Sequence, residues 1–431
     1  MTVLTGHRLG ALIADRTGRP ALAHEAEVVG QVLPFRVTSH VADELVDWTR
    51  APDDPLYRLV MPHRGLLAPA DFAAVERSLR DGDRDRLRLV VDGLRERLDP
   101  HPAGRDAAGL RHRYPETLLV LPGQGRTCHG PCASCSRWPR FAGDPVRGRE
   151  LGGPEALGDR LDRHPEITDV LFAGVPFAGG SGADPPDPPD PFELRTARLA
   201  PYVTALLDRP GVRTVRIVTR AVSRFPGRFL DAPDADDLLR LLERVVASGR
   251  HLVLTLYVCH PRELRPATAR RALGRLAATG AVLRTRGAVL RRVNDDAALW
   301  ARMWREQTAL GLAPYGMLVE RGGGVRRCFR LPLARVLEVH AEALRRVPGL
   351  AGRVCGPVMP TELGVLAVDG PVRLADGPAF ALRAVRTPDP ALRGRVAYAP
   401  FDPAARWWDE LVPYGPGDRS LIPGEPLTTA E

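Results

Sequence analysis

Lysine is missing from this chain: all 61 basic residues among its 431 are arginine, set against 52 acidic ones. An imine between a lysine amine and pyridoxal phosphate is therefore excluded, because no side chain supplies the amine. Cysteine is scarce, six in all, and its spacing lacks the pairs of a disulfide framework, which points to a reducing cytoplasm. Aromatic residues amount to 6% and do not interleave with the dispersed arginines, so the formal charge of +9 reads as solvated surface. No apolar run nears the roughly 18 residues of a membrane span. Met1–Pro20, polar and charged throughout, does not read as a signal peptide. The expectation is a cytoplasmic protein without nucleic-acid or membrane partners.

What is present centres on Cys128, Cys132 and Cys135, in the run Thr127-Cys128-His129-Gly130-Pro131-Cys132-Ala133-Ser134-Cys135. The C-x3-C-x2-C spacing lets three thiolates converge from one loop. Three thiolates complete three corners of a [4Fe–4S] cube and leave the fourth iron open to a small molecule. The competing reading is zinc with His129 as fourth ligand. Adjacent Cys128 and His129 would reach one ion only with strain, and no second ligand pair follows, since Cys259, Cys328 and Cys355 are scattered singly. The cluster reading is preferred.

The cysteine loop follows Thr117–Leu121, a short apolar run that reads as a buried strand. Five more candidate strands follow, at Thr168–Ala173, Thr214–Val218, His251–Tyr257, Val282–Leu290 and Gly316–Val319. Amphipathic segments alternate with them, near Pro154–His164, Glu193–Leu207, Asp236–Ser248, Pro266–Thr279, Asp296–Leu310 and Leu333–Arg346. This order predicts an α/β fold with a parallel sheet, open or curled into a partial barrel, whose strand carboxyl ends carry the site. Residues 1–112 read as a mostly helical extension, with helices at Asp71–Arg80 and Arg86–Leu98, and 113–365 as the strand–helix core. Residues 366–431, rich in Gly, Pro and Arg, read as a tail, in part disordered. The Pro-rich run 179–191 reads as a surface loop in lid position.

Several stretches together resemble the lysine 2,3-aminomutase branch of the radical S-adenosylmethionine enzymes. They are Gly109–Pro115 before the cysteine loop, Val215–Arg220, Cys259–Leu264, Val289–Asp295, Pro314-Tyr315 and Phe329–Pro332, in order across about residues 109–360. The resemblance implies a partial (β/α)6 barrel with a [4Fe–4S] cluster on Cys128, Cys132 and Cys135. S-adenosylmethionine would chelate the open iron and contact Gly174, Thr219 and Arg220. One electron, from a flavodoxin- or ferredoxin-type reductant, would yield a 5′-deoxyadenosyl radical that takes hydrogen from a small-molecule substrate. Arg137, just after the third cysteine, matches the family's ligand for a substrate carboxylate; Arg140 is the alternative.

Three departures limit what carries over. The family's pyridoxal phosphate lysine has no counterpart near Val354–Gly370 or elsewhere, so no pyridoxal phosphate is expected. Of the two carboxylates that hold a distal ammonium in the family, one matches Asp295 and the other falls on Arg321, beside Glu320. That exchange inverts the local charge and favours an anionic or hydroxyl-rich group, unless Arg321 is a simple loop residue before Gly322. The glycine-rich turn after the second strand keeps Gly174 but loses its second glycine and its acidic residue. The family's carboxyl-terminal zinc-binding cysteines are missing too, which leaves the oligomeric state open.

Tyr257 and His260, at one strand end, are candidates to contact substrate; core packing for the tyrosine and a structural hydrogen bond for the histidine are the plainer roles. An amino-acid-derived substrate is the expectation. A side chain of a peptide or protein is the alternative, as is a non-catalytic protein that binds the cluster.

Overall fold

Apolar side chains on the central strands divide between two faces, and each face is covered. In a computed structural model, which describes residues 2–98, 110–121, 153–173, 190–322 and 324–424, strand β4 is Thr117–Val120. It follows a two-stranded amino-terminal pair, β1 (Val3–Thr5) and β2 (Arg36–Thr38), and the edge strand β3 (Leu110–Tyr114). Then come β5 (Asp169–Ala173), β6 (Thr214–Thr219), β7 (His251–Tyr257), β8 (Val282–Val289), β9 (Ala313–Val319) and β10 (Cys355–Thr361). Neighbours from β4 to β10 pair in parallel, in sequence order. The expected α/β class and parallel strands are observed, with β10 as a parallel strand beyond the six expected.

On the outer face, Leu118, Val120, Val170, Phe172, Val215, Ile217, Leu254 and Met317 form one core with the connecting helices. Those helices include Pro154–Arg163, Thr196–Leu207, Ala235–Ala247, Ala267–Ala278, Ala297–Ala309 and Leu333–Leu344. On the inner face, Leu119, Leu171, Val218, Tyr257, Ala288 and Leu318 form a second core. Its other half is the amino-terminal extension, which supplies Ile13, Val29, Val32, Leu56, Met61 and Phe72. The extension's helices, among them Gly6–Thr17, Pro20–Val32, Pro69–Arg80 and Arg84–Leu98, fill the concave side of the sheet. Coverage on both faces is what permits near-continuous apolar strands.

The segment expected to be a tail is part of the sheet. Strands β11 (Gly364–Leu374), β12 (Gly377–Arg386) and β13 (Val396–Pro400) add antiparallel to β10, giving an eleven-stranded sheet that runs from β3 to β13. Buried Phe380, Leu382, Ala384, Trp407 and Ile422 anchor it to the outer core. Its Gly370 and Gly377 have positive φ: 113° at a register shift inside β11, and 128° where β12 begins after a turn. Composition alone concealed that role. Residues 425–431 lie outside the described residues.

Among the described residues the sheet keeps two edges, and no backbone ladder closes it. It nevertheless curls far enough for side chains to bridge distant strands. Arg113 of β3 donates to the Thr361 carbonyl of β10 at 3.2 Å. Arg386 of β12 donates to Glu116 at 2.6 Å and to the Thr117 hydroxyl, and its guanidinium lies 4.4 Å over the Tyr114 ring. Arg216 and Asp169 extend this network across β5 and β6. Gly364 makes the junction fit, since a Cβ there would stand 2.0 Å from the Arg386 carbonyl oxygen. Replacing Arg386 with alanine is expected to cost about 1–3 kcal/mol in urea unfolding, as the buried Thr117 hydroxyl and the partly exposed Glu116 carboxylate lose a charged donor. Arg383→Ala, which breaks only the exposed pair with Asp369, is expected to cost less than about 1 kcal/mol.

Candidate functional site at the strand carboxyl ends

A parallel sheet places every strand's carboxyl end on one edge, and the sequence puts its chemistry there. The chain leaves β4 at Leu121, and residues 122–152 lie outside the described residues, with Cys128, His129, Cys132, Cys135, Arg137 and Arg140 among them. The same holds for Gly174 and for the Pro-rich run up to residue 189. The remaining candidates stand on β6 to β9 and in the turns after them.

Asp190, where the chain resumes, is almost fully buried against the end of β6. Its carboxylate accepts from the Thr219 hydroxyl at 2.8 Å, from the Arg220 backbone N–H at 2.6 Å and from the Phe192 N–H at 3.1 Å. Thr219 is therefore committed to latching the loop after β5 onto β6. Arg220 turns inward, its guanidinium 4.2 Å over the Tyr257 ring. Those two predicted site residues do meet. The next strand contributes Arg286, directly paired in register with Tyr257.

Burial drives the Tyr257 phenol far above its ordinary range, so it is a neutral donor. Burial also lowers Arg286, to about 10, which leaves it charged at neutral pH. Close approach of β7 to β8 fixes this pair: a Cβ on Gly287 would fall 2.0 Å from the Val258 carbonyl oxygen. Past the end of β9, Glu320 is buried and pairs with Arg326 at 3.0 Å. Its carboxylate also accepts from the Gly322 N–H at 3.2 Å, and Arg326 lies in the short helix Gly324–Phe329, whose Val325 and Phe329 belong to the inner core. The inward residue at this strand end is thus Glu320. Arg321 points the other way, 3.9 Å from Asp409 in the carboxyl-terminal segment.

His260 and Asp295 are built into turns. The His260 Nδ1 accepts from the Arg262 N–H at 3.2 Å, while Glu263 accepts from the Cys259 and His260 N–H groups at 2.7 and 2.9 Å. This reciprocal cap starts the short helix Pro261–Leu264. Burial, then nearby Arg262, lowers His260 to about 3, so the ring is neutral. Asp295 accepts from the Arg292 N–H at 3.1 Å, across a residue with φ of 62°. Neither joins the Arg220–Tyr257 pair.

The main fixture of this edge escaped the sequence reading. The Asn294 amide donates to the Cys259 and Ala288 carbonyls at 2.7 and 2.8 Å and accepts from the Leu290 N–H at 2.6 Å, tying β7 to β8. Asn294→Ala removes three buried hydrogen bonds to backbone groups, an expected loss of about 3 kcal/mol by urea unfolding.

Acid should weaken the fold through neutral buried histidines. His63 is lowered to about 4, chiefly by burial, and His260 to about 3, both from 6.5. Because both folded values are depressed, the unfolded chain takes up protons first. Stability is complete above pH ~6.5 and falls by about 1.4 kcal/mol per unit for each ring as pH drops toward 4. His260→Asn, which keeps an acceptor near the Nδ1 position, should flatten the stability–pH curve by one such contribution.

No model of a known protein family matches the chain. It is 28% identical over 390 residues to "Putative L-lysine 2,3-aminomutase" of Aquifex aeolicus (strain VF5), covering 90% of both chains. A second protein of that name and organism is 27% identical over 209 residues, 48% of this chain and 50% of the relative. The L-lysine 2,3-aminomutase of Escherichia coli (strain K12) is 26% identical over 266 residues, 61% of this chain and 63% of the relative. The chain is thus a homologue of proteins named lysine 2,3-aminomutase or putative lysine 2,3-aminomutase, over nine-tenths of its length in one case and about half to three-fifths in two others.

Proposed function

We propose that this protein is a radical S-adenosylmethionine enzyme that acts on a small polar, amino-acid-derived substrate without pyridoxal phosphate. The observation that carries the reading is the C-x3-C-x2-C motif of Cys128, Cys132 and Cys135, which follows β4 in the sequence, together with Thr219, Tyr257 and Glu320 at or just past the carboxyl ends of β6, β7 and β9. Cys128, Cys132 and Cys135 are a donor set suited to a [4Fe–4S] cluster with one open iron. Bound there, the cluster and S-adenosylmethionine supply hydrogen-atom abstraction from an unactivated carbon. The electron comes from a flavodoxin- or ferredoxin-type partner in the cytoplasm.

The chain's own residues supply position and charge. Asp190 holds the end of the loop after β5 against Thr219 and Arg220, the neighbours assigned to S-adenosylmethionine. Arg137 takes the substrate carboxylate. Arg220, Arg286 and the Tyr257 hydroxyl line the inner wall with donors, which suits a second anionic or hydroxyl-bearing group better than a bare ammonium. The inner core formed with the amino-terminal extension keeps water from this wall. The step after hydrogen removal decides between isomerase, lyase and oxidoreductase chemistry. The absence of lysine separates this reading from the aminomutase activity in the relatives' names.

Protein reconstituted without oxygen should be brown with about four irons per chain. With dithionite and S-adenosylmethionine it should form 5′-deoxyadenosine, and Cys132→Ser should abolish this. Borohydride treatment with pyridoxal phosphate should fix no pyridoxyl group on a side chain. A cluster-loaded protein that forms no 5′-deoxyadenosine would show a binding protein instead. A colourless protein with zinc at the three cysteines would overturn the reading.

A further inference from the structure

At the opposite end of the strands, three metal-binding side chains stand together. His112 in β3, His164 at the end of the helix Pro154–Arg163, and Glu166 before β5 each offer one ligand atom within 4.8 Å of the others. We propose that they hold a zinc ion that clips β3 to the start of β5, apart from the cysteine loop.

Two imidazoles and one carboxylate form a three-residue zinc set that leaves the fourth position to water. The imidazole rings meet edge to face with centroids 5.0 Å apart. His164 Nδ1 lies 3.0 Å from Glu166 Oε1. That approaches the roughly 3.4 Å edge of a tetrahedron with metal bonds near 2.1 Å. Zinc takes the place of the proton shared there, which moves to Nε2 of the neutral imidazole. The turn is already formed, since the Ile167 N–H donates to the His164 carbonyl at 3.1 Å.

The His112 ring is available to the same ion. Its Nε2 lies 2.7 Å from the Pro115 carbonyl oxygen. A carbonyl only accepts, so Nε2 carries the proton and Nδ1 keeps its lone pair. Metal-bound histidines are held in this way, with the second ring nitrogen donating to a carbonyl or carboxylate. Next to the site, the Thr168 and Asp169 N–H groups both donate to the Glu116 carbonyl at 3.1 Å, and Glu116 is a partner of Arg386. An ion at this point braces the junction where the curled sheet meets itself.

Calorimetric titration with zinc chloride tests the site in the C128S/C132S/C135S protein, which removes the cluster ligands as competitors. About one zinc should bind per chain and raise the thermal midpoint. E166Q and H164Q should each weaken binding at least ~10-fold. Glu166 is exposed, so E166Q should leave the circular dichroism spectrum unchanged. In the cluster-loaded wild type, zinc content should be one per chain beyond the iron and should fall away in E166Q. Equal zinc binding with and without E166Q, or none in either protein, overturns the proposal.

Discussion

The constraint behind most of this structure is that a parallel sheet must bury both of its faces. The connecting helices cover the outer face, and the amino-terminal extension covers the inner one, through Ile13, Val29, Leu56 and Met61 against Leu119, Val218 and Leu318. The strands can therefore be apolar at almost every position. The same arrangement leaves room for polar groups on the inner wall only where each is offset. Asp169 sits with Arg216, and Glu320 with Arg326.

The carboxyl-terminal edge obeys the same rule. Asn294, Glu263 and Asp190 direct their hydrogen bonds to backbone groups, so that loops emerge at fixed places. Arg220, Tyr257 and Arg286 are then held rigidly with their polar atoms toward the concave side. In the proposed enzyme, such a charged wall would orient a polar substrate with little rearrangement.

The strands and helices of the parallel region were legible because their hydrophobic period is strong. β7 has the bounds read from sequence, and β9 begins at Ala313 rather than Gly316. β3 was missed because Leu110-Arg111-His112-Arg113-Tyr114 is an edge strand without apolar alternation. β11 to β13 were missed because glycines inside and at the ends of the strands resemble linker composition. In the site, Arg286 was visible as a charge inside an apolar run, yet only the pairing of β7 with β8 shows that it adjoins Tyr257. The glutamate three residues after His260 was a legible sign of a cap, whereas nothing local marks Asp190 or Asn294. Arg321 illustrates the limit of matching by spacing: a shift of one position along a strand exchanges the two faces, and Glu320 takes the inward place.

The inner core also has a consequence for biosynthesis. Its first half, residues up to about Leu98, leaves the ribosome before any of the strands that will cover it. Val28, Val29, Val32 and Met61 must wait, uncovered, while more than two hundred further residues are made. Arg386, which joins the two ends of the curl, is among the last to arrive. Until the parallel strands are made, that uncovered apolar surface is open to association with other chains, and loss of the amino-terminal extension would expose the strand side of the same core.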